Sequence, residues 1–227
     1  MSLNQILAIS ESVGINDQRF VGQVLSRNQR INTSEILTVV PFSFEMKPIN
    51  YLYYSQNRSL LNSLRIPDKA LTQYLNFGTT GWTNYIEYQG DLNNTQISAC
   101  QWQTSSANKN LVLGDFPSGI SSSTYVVRAG DFCQVGLYSY IATADVQRGS
   151  GTTVTIPVHR NLIETLVSPV NAVIGEYGTT VSMGGTTYTG ITFQVVLRDY
   201  PTYTLMPIAN DSFIQWSGTF KAFESVL

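Results

Sequence analysis

Charge is what this chain has least of. Asp, Glu, Lys and Arg make up only 12% of its 227 residues, about half the share of an ordinary soluble domain. Thirteen Lys and Arg stand against fifteen Asp and Glu, a formal net charge of −2. No basic excess exists to recruit nucleic acid or anionic lipid, so neither specific nucleic-acid binding nor a membrane partner is expected. Histidine occurs once, as His159, which excludes a multi-histidine metal site and the H-E-x-x-H motif. The two cysteines, Cys100 and Cys133, lack any C-x-x-C spacing; a pair of reduced thiols packed as small hydrophobes and a disulfide both remain open. No apolar run approaches about 18 residues, so no transmembrane helix is expected. The opening MSLNQILAISESVGIND has no basic n-region and carries Glu11, so it does not read as a signal peptide. The sequons at Asn32, Asn57, Asn93 and Asn210 are then chance matches.

Catalytic signatures are also missing. There is no G-x-S-x-G, Walker-type loop or G-x-G-x-x-G after a strand. The carboxylates of Glu87, Asp91, Asp115, Asp131 and Asp145 are scattered, mostly beside glycine, where Asp side chains bond the local backbone. Glycosidase chemistry needs two of them about 5 to 10 Å apart, and no spacing suggests it. GDLNN has only part of a calcium loop. RGSGTT around Arg148 reads as a tight turn before it reads as a phosphate nest. The expectation is no enzyme, and no catalytic, cofactor-binding or metal-binding residue.

In place of charge the chain has Ser, Thr, Asn, Gln, Gly and thirteen Tyr, a composition that suits β-sheet and surfaces covered by other subunits. Period-2 patterning dominates. In SEILTVVPFSFEMKP, Ile36, Thr38, Val40, Phe42, Phe44 and Met46 share one face, predicting a long strand that Pro41 places at an edge or a bulge. RFVGQVLSRNQRIN is a second β-like run. NYLYYSQNRSLLNSL predicts a helix with Asn50 as N-cap, and DKALTQYLNFG a second, closed by Gly78. WTNYIEYQGDL and TQISACQWQ read as paired strands, and residues 104–122 as a connection. Three short β runs follow between 123 and 165. Gly184-Gly185 marks a hairpin, Ile191, Phe193, Val195 and Leu197 share a face, and Ile214, Trp216, Phe220 and Ala222 are in register near the C-terminus. Val154, Ile156 and Val158 point to a core, leaving Pro157 and His159 outward. His159 is thus a candidate interface residue. Trp82, Tyr85 and Tyr88 pave a core, or alternatively form a stacking platform.

Three stretches carry a resemblance. QRFVGQVLSRNQRINTSEILTVVPFSFEM resembles the long paired strands of a phage tail-tube-type domain, followed by its helix in 50–77. YVVRAGDFCQVGLYSYIATADVQRGSGTTVTIPVHRNLIETL is similar to the small β module inserted in distal tail and baseplate hub-adaptor proteins of tailed bacteriophages. PTYTLMPIANDSFIQWSGTFKAFESVL resembles their closing strand. The resemblance implies a mainly β fold, a tail-tube-like β-sandwich or split barrel with one or two short helices. Residues 1–120 and 166–227 would form that domain and 121–165 an inserted, barrel-like module, with 78–120 given no place of its own. It implies a structural virion component, made in the host bacterial cytoplasm, in which copies form a six-fold ring joining the tail tube to the baseplate hub and anchoring wedge or fibre proteins. Another tail part, such as a wedge, terminator or fibre adaptor, fits the same features. So does a carbohydrate-binding β-sandwich using Trp82 or Trp102, with a hydrolase third. The tail-tube comparison requires residues 20–47 and 203–226 to meet in one sheet.

Overall fold

A computed structural model describes residues 3–16, 21–25, 31–35, 40–65, 71–78, 80–104 and 108–226. The fold is mainly β, 44% strand against 14% helix, in several antiparallel sheets. The first part of the chain runs α1 (Leu3–Ala8), β1 (Ser10–Asn16), β2 (Val21–Leu25), β3 (Ile31–Glu35), β4 (Ser43–Pro48), β5 (Leu52–Tyr53), α2 (Tyr54–Arg65) and β6 (Thr72–Asn76). A 3-10 turn at Thr83–Tyr85 leads to α3 (Asn94–Ala99), β7 (Gln101–Trp102), β8 (Asn110–Gly114), β9 (Tyr125–Val127), β10 (Phe132–Val135) and β11 (Tyr138–Ile141). Short strands follow: β12 (Val146–Gln147), β13 (Val154–Pro157), β14 (Val170–Asn171), β15 (Val173–Ile174), β16 (Tyr177–Gly178), β17 (Val181–Met183) and β18 (Thr186–Tyr188). The chain closes with β19 (Thr192–Asp199), β20 (Tyr203–Ile208), β21 (Asp211–Trp216) and β22 (Phe220–Glu224).

The main sheet has the order β1-β4-β22-β19-β6. Val40, Phe42, Phe44 and Met46 are all buried, as their alternation predicts; Ile36 and Thr38 lie outside the described residues. Opposite them, Phe220 pairs with Met46 and Ala222 with Phe44. On the other side of β22, Leu197 pairs with Ala222 and Val195 with Glu224. The two segments required to meet therefore do so through β4 and β22, while β2–β3 and β20–β21 lie in other sheets. Pro41 does not mark an edge. It precedes β4, which is flanked on both sides by β1 and β22. Helix α1 packs Leu3, Ile6 and Leu7 into the same core, fully buried.

A second core gathers Tyr88, Ile97, Cys100, Trp102, Leu111, Leu113, Val126, Cys133, Tyr140, Ile156 and Ile174. Its strands form one sheet of order β13-β8-β7-β14 and another of order β11-β10-β15-β16. This core reaches beyond 121–165 in both directions. Strands β7 and β8 carry the register of β13, with Ile156 opposite Leu111, so residues 88–104 and 108–114 belong to it. The Ser- and Gly-rich flanks around NLVLG hide that strand in the sequence.

Local expectations shift accordingly. Residues 72–76 are not a helix but an edge strand, because β19 offers five paired positions from Thr192 to Val196, and tertiary pairing overrides a weak helical pattern. TQISA is helical, not extended: the Asn93 side chain accepts from Gln96 N and the Gln96 side chain accepts from Asn93 N, a capping box. Asn50 caps no helix, since its Oδ1 accepts from Trp216 N at 2.9 Å. The α2 N-terminus is instead held by Asp211, whose Oδ1 accepts from Ser55 N and whose Oδ2 accepts from Ser55 Oγ. These bonds hold the Asp211 carboxyl below its usual range. The Gly184-Gly185 hairpin forms as predicted, both residues at positive φ between β17 and β18.

Candidate assembly surface

The two cores meet at a polar seam. Arg160, two residues past the Val154–Val158 alternation, is 1% exposed and lies against the closing strand. Its Nη1 donates to Glu224 Oε2 at 2.5 Å and Val40 O at 2.8 Å, and its Nη2 to Glu224 Oε1 and Ser139 O, both at 2.7 Å. The pair is bidentate, and Glu224 Oε2 also accepts from Phe42 N. The guanidinium lies 4.9 Å from the Phe42 ring and 5.2 Å from that of Tyr140. Nearby, Gln134 Nε2 donates to Thr192 O and Gln134 Oε1 accepts from Thr192 N. Gly175 closes the same seam. It has φ +59, and an added Cβ would sit 2.7 Å from Ile86 O.

His159 does not face outward. Its Nδ1 accepts from Ile141 N at 3.0 Å while its own N–H donates to Ile141 O, and its ring lies 5.3 Å from Phe42. The imidazole therefore carries its proton on Nε2 when neutral. The burial alternation itself continues through Arg160, leaving Pro157 and His159 half-buried, but past the end of β13 at Pro157 the imidazole bends back onto Ile141 and Phe42. His159→Ala removes the acceptor of a part-buried amide and should lower stability by about 1–3 kcal/mol without unfolding the chain. Urea melts of the two proteins measure this, and an unchanged midpoint would contradict it.

Three of the scattered carboxylates meet at Arg128: its guanidinium lies 3.4 Å from Asp91 and 3.8 Å from Asp145, and its backbone N–H donates to Asp131. Asp131, almost fully buried, accepts from Gln89 N and Arg128 N, and burial raises its pKa. Asp145 accepts from Ala129 N, Asp91 from Tyr125 N and Glu176 from Tyr88 N. Asp115 takes Gln103 Nε2, and Glu87 is exposed. Among the described residues no three His, Cys, Asp or Glu side chains gather as a metal site would need, and no helix is long and apolar enough to cross a membrane. GDLNN supplies the α3 cap. Arg148 turns back onto Gly149 O and Gly151 O and lies over the Phe116 ring.

The aromatic platform disperses too. Trp82 Nε1 donates to Leu7 O beside the main core. Tyr85 lies near Phe77 and Phe132, and Tyr88 enters the second core, its hydroxyl on Val126 O. Trp102 is fully buried with Nε1 on Gln134 O. Both cysteines are free and buried. Burial pushes the Cys100 thiol up to about 11 and raises that of Cys133 still further, so both stay protonated near neutrality. An aromatic-disulfide thiol titration should detect neither in the native protein and both in denaturant; a fast-reacting native thiol would refute the burial.

A group of large apolar residues stands exposed at the three-stranded sheet β20-β21-β5. Tyr51, Tyr53, Leu205, Met206 and Ile208 are exposed there. Tyr51 holds φ +66, unusual for a bulky residue. Its N–H donates to Ile214 O and its ring meets the edge of Phe213. Beside β20 runs a groove of about 510 Å3 lined by Leu61, Leu64, Tyr200, Pro201, Tyr203 and Trp216. The outer face of the main sheet holds a smaller hollow of about 360 Å3 among Glu45, Arg198, Asp199 and Lys221. Its polar groups bond each other there, Glu45 to Thr219 and Lys221. The sequence carried a signal for the first surface in the uncharged YTLMPI, but read it as part of one closing strand. No model of a known protein family matches the chain, and no curated protein matches it.

Proposed function

We propose that the protein is a structural subunit of a phage tail, copies of which form a ring connecting the tail tube to the baseplate hub. The observation that carries this reading is the seating of β22 between β4 and β19, which joins the two ends of the chain across an inserted second core. The resemblance calls for such a contact between an early strand and the closing one. The disposition of side chains supports it as well: the buried charges hold backbone and join the two cores, and Tyr51, Tyr53, Leu205, Met206 and Ile208 stand exposed together at one sheet. Open strand edges are an aggregation hazard in a monomer and a means of assembly in a ring. In this role the partners are other copies of the chain, the tube protein, and hub, wedge or fibre proteins. Native mass measurement of the purified chain, beside negative-stain images of the particles that contain it, tests the reading. Closed six-fold rings at the tube end are the expected result. A chain that stays monomeric and is missing from tails would overturn it.

A further inference from the structure

The groove beside β20 holds a buried donor with nothing to bond. Leu61 and Leu64 of α2 line it together with Tyr200, Tyr203, Leu205 and Trp216. Trp216 is only 7% exposed, and its indole Nε1 is buried without a hydrogen-bond partner. About 90% or more of the buried polar groups in folded proteins are paired, so an orphan of this kind calls for a reason. The other two tryptophans follow the rule: Trp82 Nε1 donates to Leu7 O and Trp102 Nε1 to Gln134 O. The other polar side chains of the described lining are engaged as well. The Thr202 hydroxyl bonds that of Ser217, and Tyr200 and Tyr203 have partners of their own.

That inventory sets the chemistry of an occupant. The lining carries no charged residue, so neither an anion nor a cation gains by entering. What the groove offers is aliphatic and aromatic surface and one N–H. An occupant must therefore bring a carbonyl oxygen and bury no N–H of its own, because each would be left unpaired. An ordinary extended chain brings an N–H with nearly every carbonyl. Proline brings the carbonyl alone. A proline-rich segment is also preformed as a polyproline II helix without internal hydrogen bonds, and such segments dock in aromatic-lined grooves at small entropic cost.

We infer that the groove takes a proline-rich segment of a partner protein, its rings packed against Trp216 and Leu64 and one of its carbonyls accepting from Trp216 Nε1. Tyr203 pairs with Trp216 and Leu205 with Ile214, which makes Leu205 the diagonal neighbour of Trp216 on the same face of the hairpin. Leu205 is 43% exposed, and it is the side chain that turns aside to admit the carbonyl. The site lies wholly within one copy of the chain, so the inference is independent of the ring reading.

The test uses the full-length chain with isotope-labelled indoles, whose three tryptophans give one indole N–H signal each. The probe is a decaproline peptide blocked at both ends, compared with a Gly/Ser peptide of the same length. Decaproline should move the Trp216 signal downfield, as a newly formed hydrogen bond does, and leave those of Trp82 and Trp102 in place. Trp216→Phe identifies the signal by its loss and takes away only the unpaired donor and part of the ring. It should leave the melting curve in place while weakening decaproline binding, measured by calorimetry, at least about fivefold, the worth of one hydrogen bond. Should that variant melt early, Leu205→Lys keeps the indole and sets an ammonium at the rim of the groove, with the same expected loss. A Trp216 signal that decaproline does not move, one that the Gly/Ser peptide moves as far, or unchanged affinity in the variant would overturn the inference. Native mass measurement reads assembly separately, so none of these results touches the ring reading.

Discussion

Arg160→Met lowers the stability of the chain by about 3–5 kcal/mol, the cost of leaving a buried partner charge uncompensated. Glu224 is then enclosed with only Phe42 N to satisfy its carboxylate, and the carbonyls of Val40 and Ser139 lose their donors. Glu224→Leu should cost a similar amount, because the guanidinium is left with two carbonyls and two aromatic rings. In Arg160→Met/Glu224→Leu no charge remains, so the double variant should be more stable than the sum of the two single effects by about 2 kcal/mol or more. Chemical denaturation of all four proteins gives this coupling directly. Simple additivity would mean that the pair does not act as a unit. Because Arg160 belongs to the inserted segment and Glu224 to the last strand, the single variants should also loosen the C-terminal strand ahead of the second core. Hydrogen exchange of Phe220–Glu224 against that of Phe132–Val135 measures it.

Phe193→Ala should be as damaging, also about 3–5 kcal/mol. Phe193 is fully buried in β19, and its ring lies 5.1 Å from that of Phe42, 4.8 Å from Phe44, 5.7 Å from Phe77 and 6.1 Å from Phe132. Rings from three other segments thus converge on one side chain, and its removal leaves a cavity that ring-bearing neighbours on fixed backbones cannot fill. Phe193→Leu keeps most of the volume and should cost less than half as much. Equal losses from both substitutions would show that the specific ring contacts, rather than the volume, set the stability. Phe132 reaches this cluster from the inserted segment, so Phe193→Ala is also expected to weaken the attachment of one core to the other.

The part of this fold that was legible beforehand is the part set by local pattern. Alternation placed Val40, Phe42, Phe44 and Met46 on one buried face, and Ile191, Phe193, Val195 and Leu197 on another, because a strand with one side in a core must repeat every two residues. Gly184-Gly185 fixed a hairpin because two adjacent positive φ angles are costly for anything else. The capping box at Asn93 and Gln96 was also present as N-x-x-Q, but Ile97-Ser98-Ala99 and Cys100-Gln101-Trp102 after it each alternate apolar with polar as a strand does, and the helix is only six residues long. At 72–76 the local signal was weak and the partner strand decided.

The surface proposed for assembly was legible only in outline. YTLMPI is visibly uncharged, yet nothing in the sequence tells that its sheet is completed by β5; that follows from the bond between Tyr51 and Ile214, residues 163 positions apart. The seam shows the same division. Composition and period determined by themselves a mainly β chain of low charge, closed by a C-terminal strand. Only the tertiary structure decided that Arg160 meets Glu224, 64 residues away, and that the His159 ring accepts from Ile141 N. A side chain's neighbours in sequence fix its face on a strand, whereas burying a charge or an imidazole depends on partners that arrive from elsewhere in the chain.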